Sequence, residues 1–168
     1  PSSLQTSGGE IVIFKGYNFG EIKLVVKATY GRTGIPGLGT GTGFTFQGCI
    51  VVSEGTVSCK SAIGAGANLQ TTLIIDGQTN SEGASMLVSY SAPSIAAARA
   101  TTPFVGIIDG GYSVVITGSN FGIMKLASVV VGDSTVTSFS AFDHESATFV
   151  MPRSDSPTEK NVTVVVAG

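Results

Sequence analysis

The sequence predicts an all-β chain folded as two tandem β-sandwiches, on three observations. The first is a repeat. Gly8-Gly9-Glu10-Ile11-Val12-Ile13-Phe14-Lys15-Gly16-Tyr17-Asn18-Phe19-Gly20 returns with the same spacing as Gly110-Gly111-Tyr112-Ser113-Val114-Val115-Ile116-Thr117-Gly118-Ser119-Asn120-Phe121-Gly122. In each copy a glycine pair turns the backbone, a strand-forming run follows, and Gly-x-Asn-Phe-Gly ends it in a tight turn. Asn and Gly tolerate the positive φ of such a turn, and the Phe between them is an apolar anchor. The second observation is length, since 168 residues suit two sandwiches, each large enough to bury a core without a metal. The third is a succession of short β-branched runs bounded by Glu-Gly, Asp-Gly and Gly-Asp turns. Each copy opens a domain, residues 1–92 and 93–168.

Composition narrows the partners. Charged residues are 12%, against about 25% in ordinary soluble domains, while Ser and Thr are abundant, so the exterior is hydroxyl-rich. A net charge of −2 provides no basic footprint for phosphates, which excludes nucleic acid as a partner. No apolar run reaches the roughly 18 to 20 residues of a membrane span, and no signal segment opens the chain. Starting at Pro1 with no Met reads as a processed or excised piece of a longer protein, so that missing signal does not argue against secretion.

In chain order, residues 1–9 read as a lead-in strand and turn. Over residues 10–15 the two copies set the phase: Val114 and Ile116 face one way and Ser113 the other, so Val12 and Phe14 face the core. Ile11 and Ile13 then face outward, as β-propensity alone or as a packing surface against another domain or subunit; the low charge favours the surface. Residues 21–30 read as the next strand, centred on Leu24, Val25 and Val26. The glycine-rich stretch 31–43 lacks the Gly-Lys-Ser/Thr and following helix of a phosphate loop and reads as an exposed, mobile loop. It also reads as an insertion, because the glycine pairs lie about 102 positions apart and later landmarks about 90.

Cys49 to Cys59 spans two short strands around Glu54-Gly55, which puts both cysteines on neighbouring strands. A disulfide and a pair of buried free thiols both fit, and two cysteines alone do not decide. In the second domain the same offset lands on Phe139 and Phe149, an aromatic pair in the place of a covalent link. Residues 69–75 form a strand, Asp76-Gly77 a hairpin turn and residues 86–90 the closing strand. The second domain continues with a strand over 127–131, the Gly132-Asp133 turn, strands near Val136 and over 147–151, and a polar loop over 152–160. Asn161-Val162-Thr163 is a glycosylation sequon at the head of the last strand, where Val164 and Val166 join Ile11 and Ile13 as interface residues. His144, the single histidine, lies in Asp143-His144-Glu145 between two strands. That cluster reads as a solvated turn, with a weak calcium site as the alternative.

The two glycine-pair segments, Gly64-Ala65-Gly66-Ala67-Asn68, and Asp76-Gly77-Gln78-Thr79-Asn80-Ser81 followed by Val88-Ser89-Tyr90-Ser91-Ala92-Pro93 resemble the IPT/TIG domain. Its early strand reads GG-x-x-V-x-I-x-G-x-N-F-G and its end Gly-Gln-x-Ser with Phe-x-Tyr-x-x-Pro; Val88 replaces that Phe. The resemblance implies two immunoglobulin-like sandwiches joined with almost no linker at Pro93. It also implies that Cys49 and Cys59 are bridged, as in cell-surface members of the family, a loop closure worth roughly 2 to 3 kcal/mol. Aligning residues 69–75 with 161–166 sets Gly168 opposite Gly77, so the second sandwich lacks a closing strand and shows an open edge. Either the chain continues past Gly168 or a neighbour donates a strand, as in head-to-tail fibres.

No catalytic residue, metal site or cofactor is predicted. The reading is a non-catalytic structural or adhesive segment of an extracellular or cell-surface protein, the repeating unit of a fibre or stalk. Its partners are other copies of itself or neighbouring immunoglobulin-like domains, by strand donation among other routes, and glycans, with no nucleic acid and no membrane span in this segment. The alternative is a ligand- or carbohydrate-binding module of a larger secreted protein. That needs an exposed aromatic platform, poorly supplied by four Tyr and no Trp.

Overall fold

The computed structural model describes residues 3–22, 25–31, 43–80, 86–101, 109–154 and 160–166. The chain divides between Ser91 and Ala92 into two compact units. Both are immunoglobulin-like β-sandwiches built from antiparallel pairings between strands.

Unit 1 contains β1 (Ile11–Lys15), β2 (Val26–Gly31), β3 (Phe44–Thr45), β4 (Gln47–Ser53), β5 (Thr56–Lys60), β6 (Leu69–Ile75), β7 (Gln78–Thr79) and β8 (Leu87–Val88). One sheet has the order β1-β5-β4 and the other β3-β2-β6-β7, with β8 also paired to β6. The expected phase holds in β1: Phe14 is buried and Val12 half-buried, while Ile11 and Ile13 face outward. The second strand starts later than the sequence pattern suggests. Residues 21 and 22 turn, Val25 makes one bridge to Ile50 but is exposed, and the inward series is Val26, Ala28 and Tyr30. Apolarity at Val25 reflects strand propensity without burial, which is why pattern alone misplaced the start. Leu24 lies outside the described residues, as do 32–42 of the glycine-rich stretch.

The base of that stretch is defined by a close approach. A Cβ on Gly31 would stand 2.5 Å from the Gly43 Cα, so both glycines let the chain leave and return at one point. The lead-in is not a regular strand: Leu4 makes a parallel bridge to Tyr90, with Leu4 N–H donating to Ser89 O and Ser91 N–H to Leu4 O. The closing strand is likewise short, β8 followed by that bridge.

Unit 2 contains β9 (Ser94–Ala100), β10 (Ser113–Ser119), β11 (Ala127–Val131), β12 (Ser134–Val136), β13 (Ala141–Phe142), β14 (Ser146–Val150) and β15 (Val162–Val166), with a 3-10 turn at Met124–Leu126. Its sheets have the orders β13-β14-β10-β9 and β12-β11-β15. Among the described residues β15 pairs with β11 alone, whereas its counterpart β6 also carries β7 and β8. The core holds Ile116, Phe121, Val129, Ala147, Phe149 and Val164. Phe149 occupies the place of Cys59, opposite Val114 as Cys59 is opposite Val12. Phe139 packs on the same core, but its ring partner is Phe142, with centroids 4.9 Å apart.

The repeat is visible bond by bond. Gly9 N–H donates to Ser61 O and Gly111 N–H to Met151 O; Phe19 N–H donates to Glu54 O and Phe121 N–H to His144 O. Asn18, Gly20, Asn120 and Gly122 all have positive φ. The copies differ in closure, since Phe121 is 0% exposed and Phe19 is half-buried.

Replacing Phe121 with Ala therefore removes a fully buried ring and costs about 3 to 5 kcal/mol. Phe19→Ala costs clearly less, and urea unfolding followed by far-ultraviolet circular dichroism of both variants measures the difference.

Candidate functional site

In unit 1 the pairing of β4 with β5 slips. Gln47 is opposite Lys60, yet Ile50 is opposite Ser58, so Gly48 and Cys49 together face Cys59. Gly48 has φ +58, the left-handed residue that a bulge of this kind uses. The bulge brings the two cysteines face to face, Cα atoms 4.1 Å apart, and they form a disulfide. Both are buried. The bridge therefore joins adjacent strands from the core side.

Beside it lies an aromatic stack running from β1 to the end of the unit. Phe14 meets Phe46 edge-on at 5.2 Å, Phe46 lies 4.0 Å from Tyr30, and Tyr30 and Phe44 both contact Tyr90. The two tyrosine hydroxyls are hydrogen-bonded to each other. Tyr90 donates to Ala62 O at 2.8 Å and Ala62 N–H donates to the Tyr30 oxygen at 3.0 Å. Tyr90 has one proton, already given to Ala62, so Tyr30 is the donor between the hydroxyls and the three groups close a ring of hydrogen bonds. Gly64 is what lets the ring fit: a Cβ there would stand 2.5 Å from the Tyr90 oxygen. This is a packing reason for the first glycine of Gly64-Ala65-Gly66-Ala67-Asn68. Burial pushes the Tyr30 hydroxyl pKa up, partly offset by the hydrogen bond it accepts from the Ala62 amide. Burial pushes Tyr90 up further, reinforced by Tyr30 and by the Glu10 charge.

The other polar candidates are structural. Asp143 closes its own turn: one oxygen accepts from Glu145 N–H at 2.8 Å and Ser146 N–H at 2.6 Å, the other from the Ser146 hydroxyl at 2.9 Å. These bonds, led by the Glu145 amide, hold its carboxyl below the usual range. The oxygens that a cation would need are used locally, and among the described residues no three His, Cys, Asp or Glu side chains gather to hold a metal. His144 lies in this turn, its carbonyl accepting from Phe121. Asn161 is exposed just ahead of β15.

Ile11 and Ile13 are 68% and 48% exposed. Val164 and Val166, expected beside them as interface residues, belong to the core of unit 2 instead. The pairing of β15 with β11 sets Val164 opposite the buried Val129 and Val166 opposite Ala127, so the outward valine is Val165. A one-residue error in phase turns every side chain of a strand to the other face.

One open cleft of about 920 Å³ lies in unit 1, lined by Gly16, Tyr17 and Phe19 from the motif turn and by Leu73, Ile75 and Asp76 from the β6 end. Tyr17 is 91% exposed. Asp76 and Gly77 both have positive φ, the backbone of the tight hairpin that Asp-Gly favours.

Compared with protein families, residues 98–168 match the IPT/TIG domain. That is the second copy of the motif. The IPT/TIG match starts inside β9 and takes in the strands of unit 2 that follow. No curated protein matches the chain.

Tyr90→Phe leaves Ala62 O and the Tyr30 hydroxyl proton without their buried partner and costs about 1 to 3 kcal/mol. For pH dependence, folded Tyr30 and Tyr90 keep their protons where the unfolded chain begins to release them, near about pH 10. The stabilisation is thus fully present below that pH and falls above it. Unfolding midpoints measured from pH 8 to 11 drop more steeply at the alkaline end for the native chain than for Tyr30→Phe/Tyr90→Phe.

Proposed function

We propose that this chain is a non-catalytic structural or adhesive segment of an extracellular or cell-surface protein, which packs against further copies of itself. The observation that carries this reading is the outer face of the β1-β5-β4 sheet. Ile13 and Ile50 are both paired with Ser58, one on each side, and with Ile11 and Val52 they leave four aliphatic side chains exposed on one sheet. In a chain with 12% charged residues, a clustered apolar face of this kind marks an interaction surface.

The disulfide supports an oxidising compartment. The exposed Asn161 in its sequon supports glycosylation in the same compartment. The IPT/TIG match supports a binding or structural role over catalysis. Binding of a ligand or carbohydrate is the second reading, favoured by the exposed Tyr17 beside the cleft.

Sedimentation velocity over a concentration series tests the first reading. The native chain is expected to self-associate, and Ile11→Ser/Ile13→Ser to shift the distribution towards monomer with its circular dichroism unchanged. A native chain that stays monomeric throughout contradicts it.

A further inference from the structure

Strand β4 carries more residues than its pairing with β5 uses. Between the Gln47 and Lys60 pair and the Ser53 and Thr56 pair, β4 has two residues more than β5, and the register shifts twice, between Gln47 and Ile50 and between Val51 and Ser53. In the stretch that holds these shifts, alternation does not choose a face. Cys49 and Val51 are buried and Ile50 and Val52 are exposed, yet all four are apolar. A strand of that kind specifies its register weakly. Backbone preference does not choose either, since the bulge disrupts the ladder and has Gly48 at φ +58. What holds Cys49 inward, and so Ile50 outward, is the bond to Cys59.

We infer that the disulfide is a register lock for the outer face of the β1-β5-β4 sheet, and that reduction by a dithiol switches that face. The switch regulates the self-packing surface and rests on that reading. Once the bond is gone, β4 continues from the Gln47 and Lys60 pair without the first bulge. Gly48 then lies opposite Cys59, Cys49 opposite Ser58, Ile50 opposite Val57 and Val51 opposite Thr56, and each turns to the other face. Ile50 takes the core place of Val51, its extra methylene beside the room left by the thiol, so apolar burial is nearly conserved. Val52 and Ser53 join Glu54-Gly55 in a longer hairpin loop of a common kind.

The anchors on either side keep their partners. Phe46 N–H donates to Ala28 O ahead of the slip, and beyond it Gly16 and Phe19 donate to Gly55 and Glu54. On the outer face the row Ile13, Ser58, Ile50 becomes Ile13, Ser58, Cys49, and Val25 loses its bridge to Ile50. The face gives up Ile50 and Val52, gains Val51 near Thr56 and shows a thiol. The chemical step is thiol–disulfide exchange. A thiolate of the dithiol attacks one sulfur of the bridge and displaces the other cysteine; the second thiol then closes the reductant's own disulfide and displaces the first. Two electrons and two protons pass from the dithiol to Cys49 and Cys59, which end as thiols.

The test reduces the intact chain with dithiothreitol, dilutes it until it is monomeric and alkylates it with excess iodoacetamide without denaturant, reading each cysteine by peptide mass spectrometry. Cys49 is expected to label at least about tenfold faster than Cys59, with circular dichroism unchanged, because the slip brings only Cys49 to the surface. Faster labelling of Cys59 overturns the inference. So do equal rates, whether both thiols stay protected in an unslipped strand or both react in an unfolded unit. Sedimentation velocity then reads the switch at concentrations where the oxidised chain self-associates. Reduction is expected to shift the distribution towards monomer, and an unchanged distribution overturns the switching. An oxidised chain that never associates overturns the self-packing reading and the switch with it, while labelling of the monomer still decides the lock.

Discussion

Both units depend on the same pair of backbone hydrogen bonds, which fasten the Gly-x-Asn-Phe-Gly turn to the neighbouring hairpin. Gly16 and Phe19 donate to Gly55 and Glu54, and Gly118 and Phe121 donate to Glu145 and His144. With the turn tied down at these points, the Phe ring folds back under the first glycine of its own motif. A Cβ on Gly16 would stand 2.6 Å from the Phe19 ring, and one on Gly118 would stand 2.9 Å from the Phe121 ring. That glycine is needed for space, and the Asn and last Gly for positive φ. The motif is thus a clamp that sets where its strand ends and what lies beneath it.

From this shared frame the copies diverge in what completes them. Unit 2 gains β9, which covers the far side of β10 and seals Phe121. Unit 1 leaves β1 with one partner among the described residues, and its β1-β5-β4 sheet is the one that carries the bulge and the disulfide. Behind that sheet the Tyr30, Tyr90 and Ala62 hydrogen-bond ring ties the end of the unit to its core. Unit 1 is held from inside by a covalent link and a polar ring, while unit 2 is held by β9 along β10 and by a core with Phe149 where Cys59 would be.

Much of this was legible in the sequence. Alternation fixed the core face of β1 because the second copy supplied an independent reading of the phase. The Cys49 to Cys59 hairpin was legible from Glu54-Gly55, and the β6 to β7 turn from Asp76-Gly77, because these turns depend on local backbone preference. Other features were not local. Tyr30 and Tyr90 meet across most of unit 1, and nothing near either residue announces the other. The β15 phase failed because Val162 to Val166 is apolar on both faces save for Thr163, so alternation had little to act on. The pairing of β9 with β10 was likewise hidden, since alanine-rich Ser94–Ala100 carries a weak strand signal and owes its place to Ile95 and the room left at Gly118.

Among the described residues β1 is paired on one side only, whereas β10 is paired on both. Native-state amide hydrogen exchange on the free chain tests it most directly, comparing β1 with β10 under conditions where neither unit unfolds. The account predicts slow exchange along Val114–Thr117, which has partners on both sides, and an alternation of slow and fast amides along Ile11–Lys15, where only the β5 side is paired. Uniformly slow exchange along Ile11–Lys15, matching β10, would contradict it.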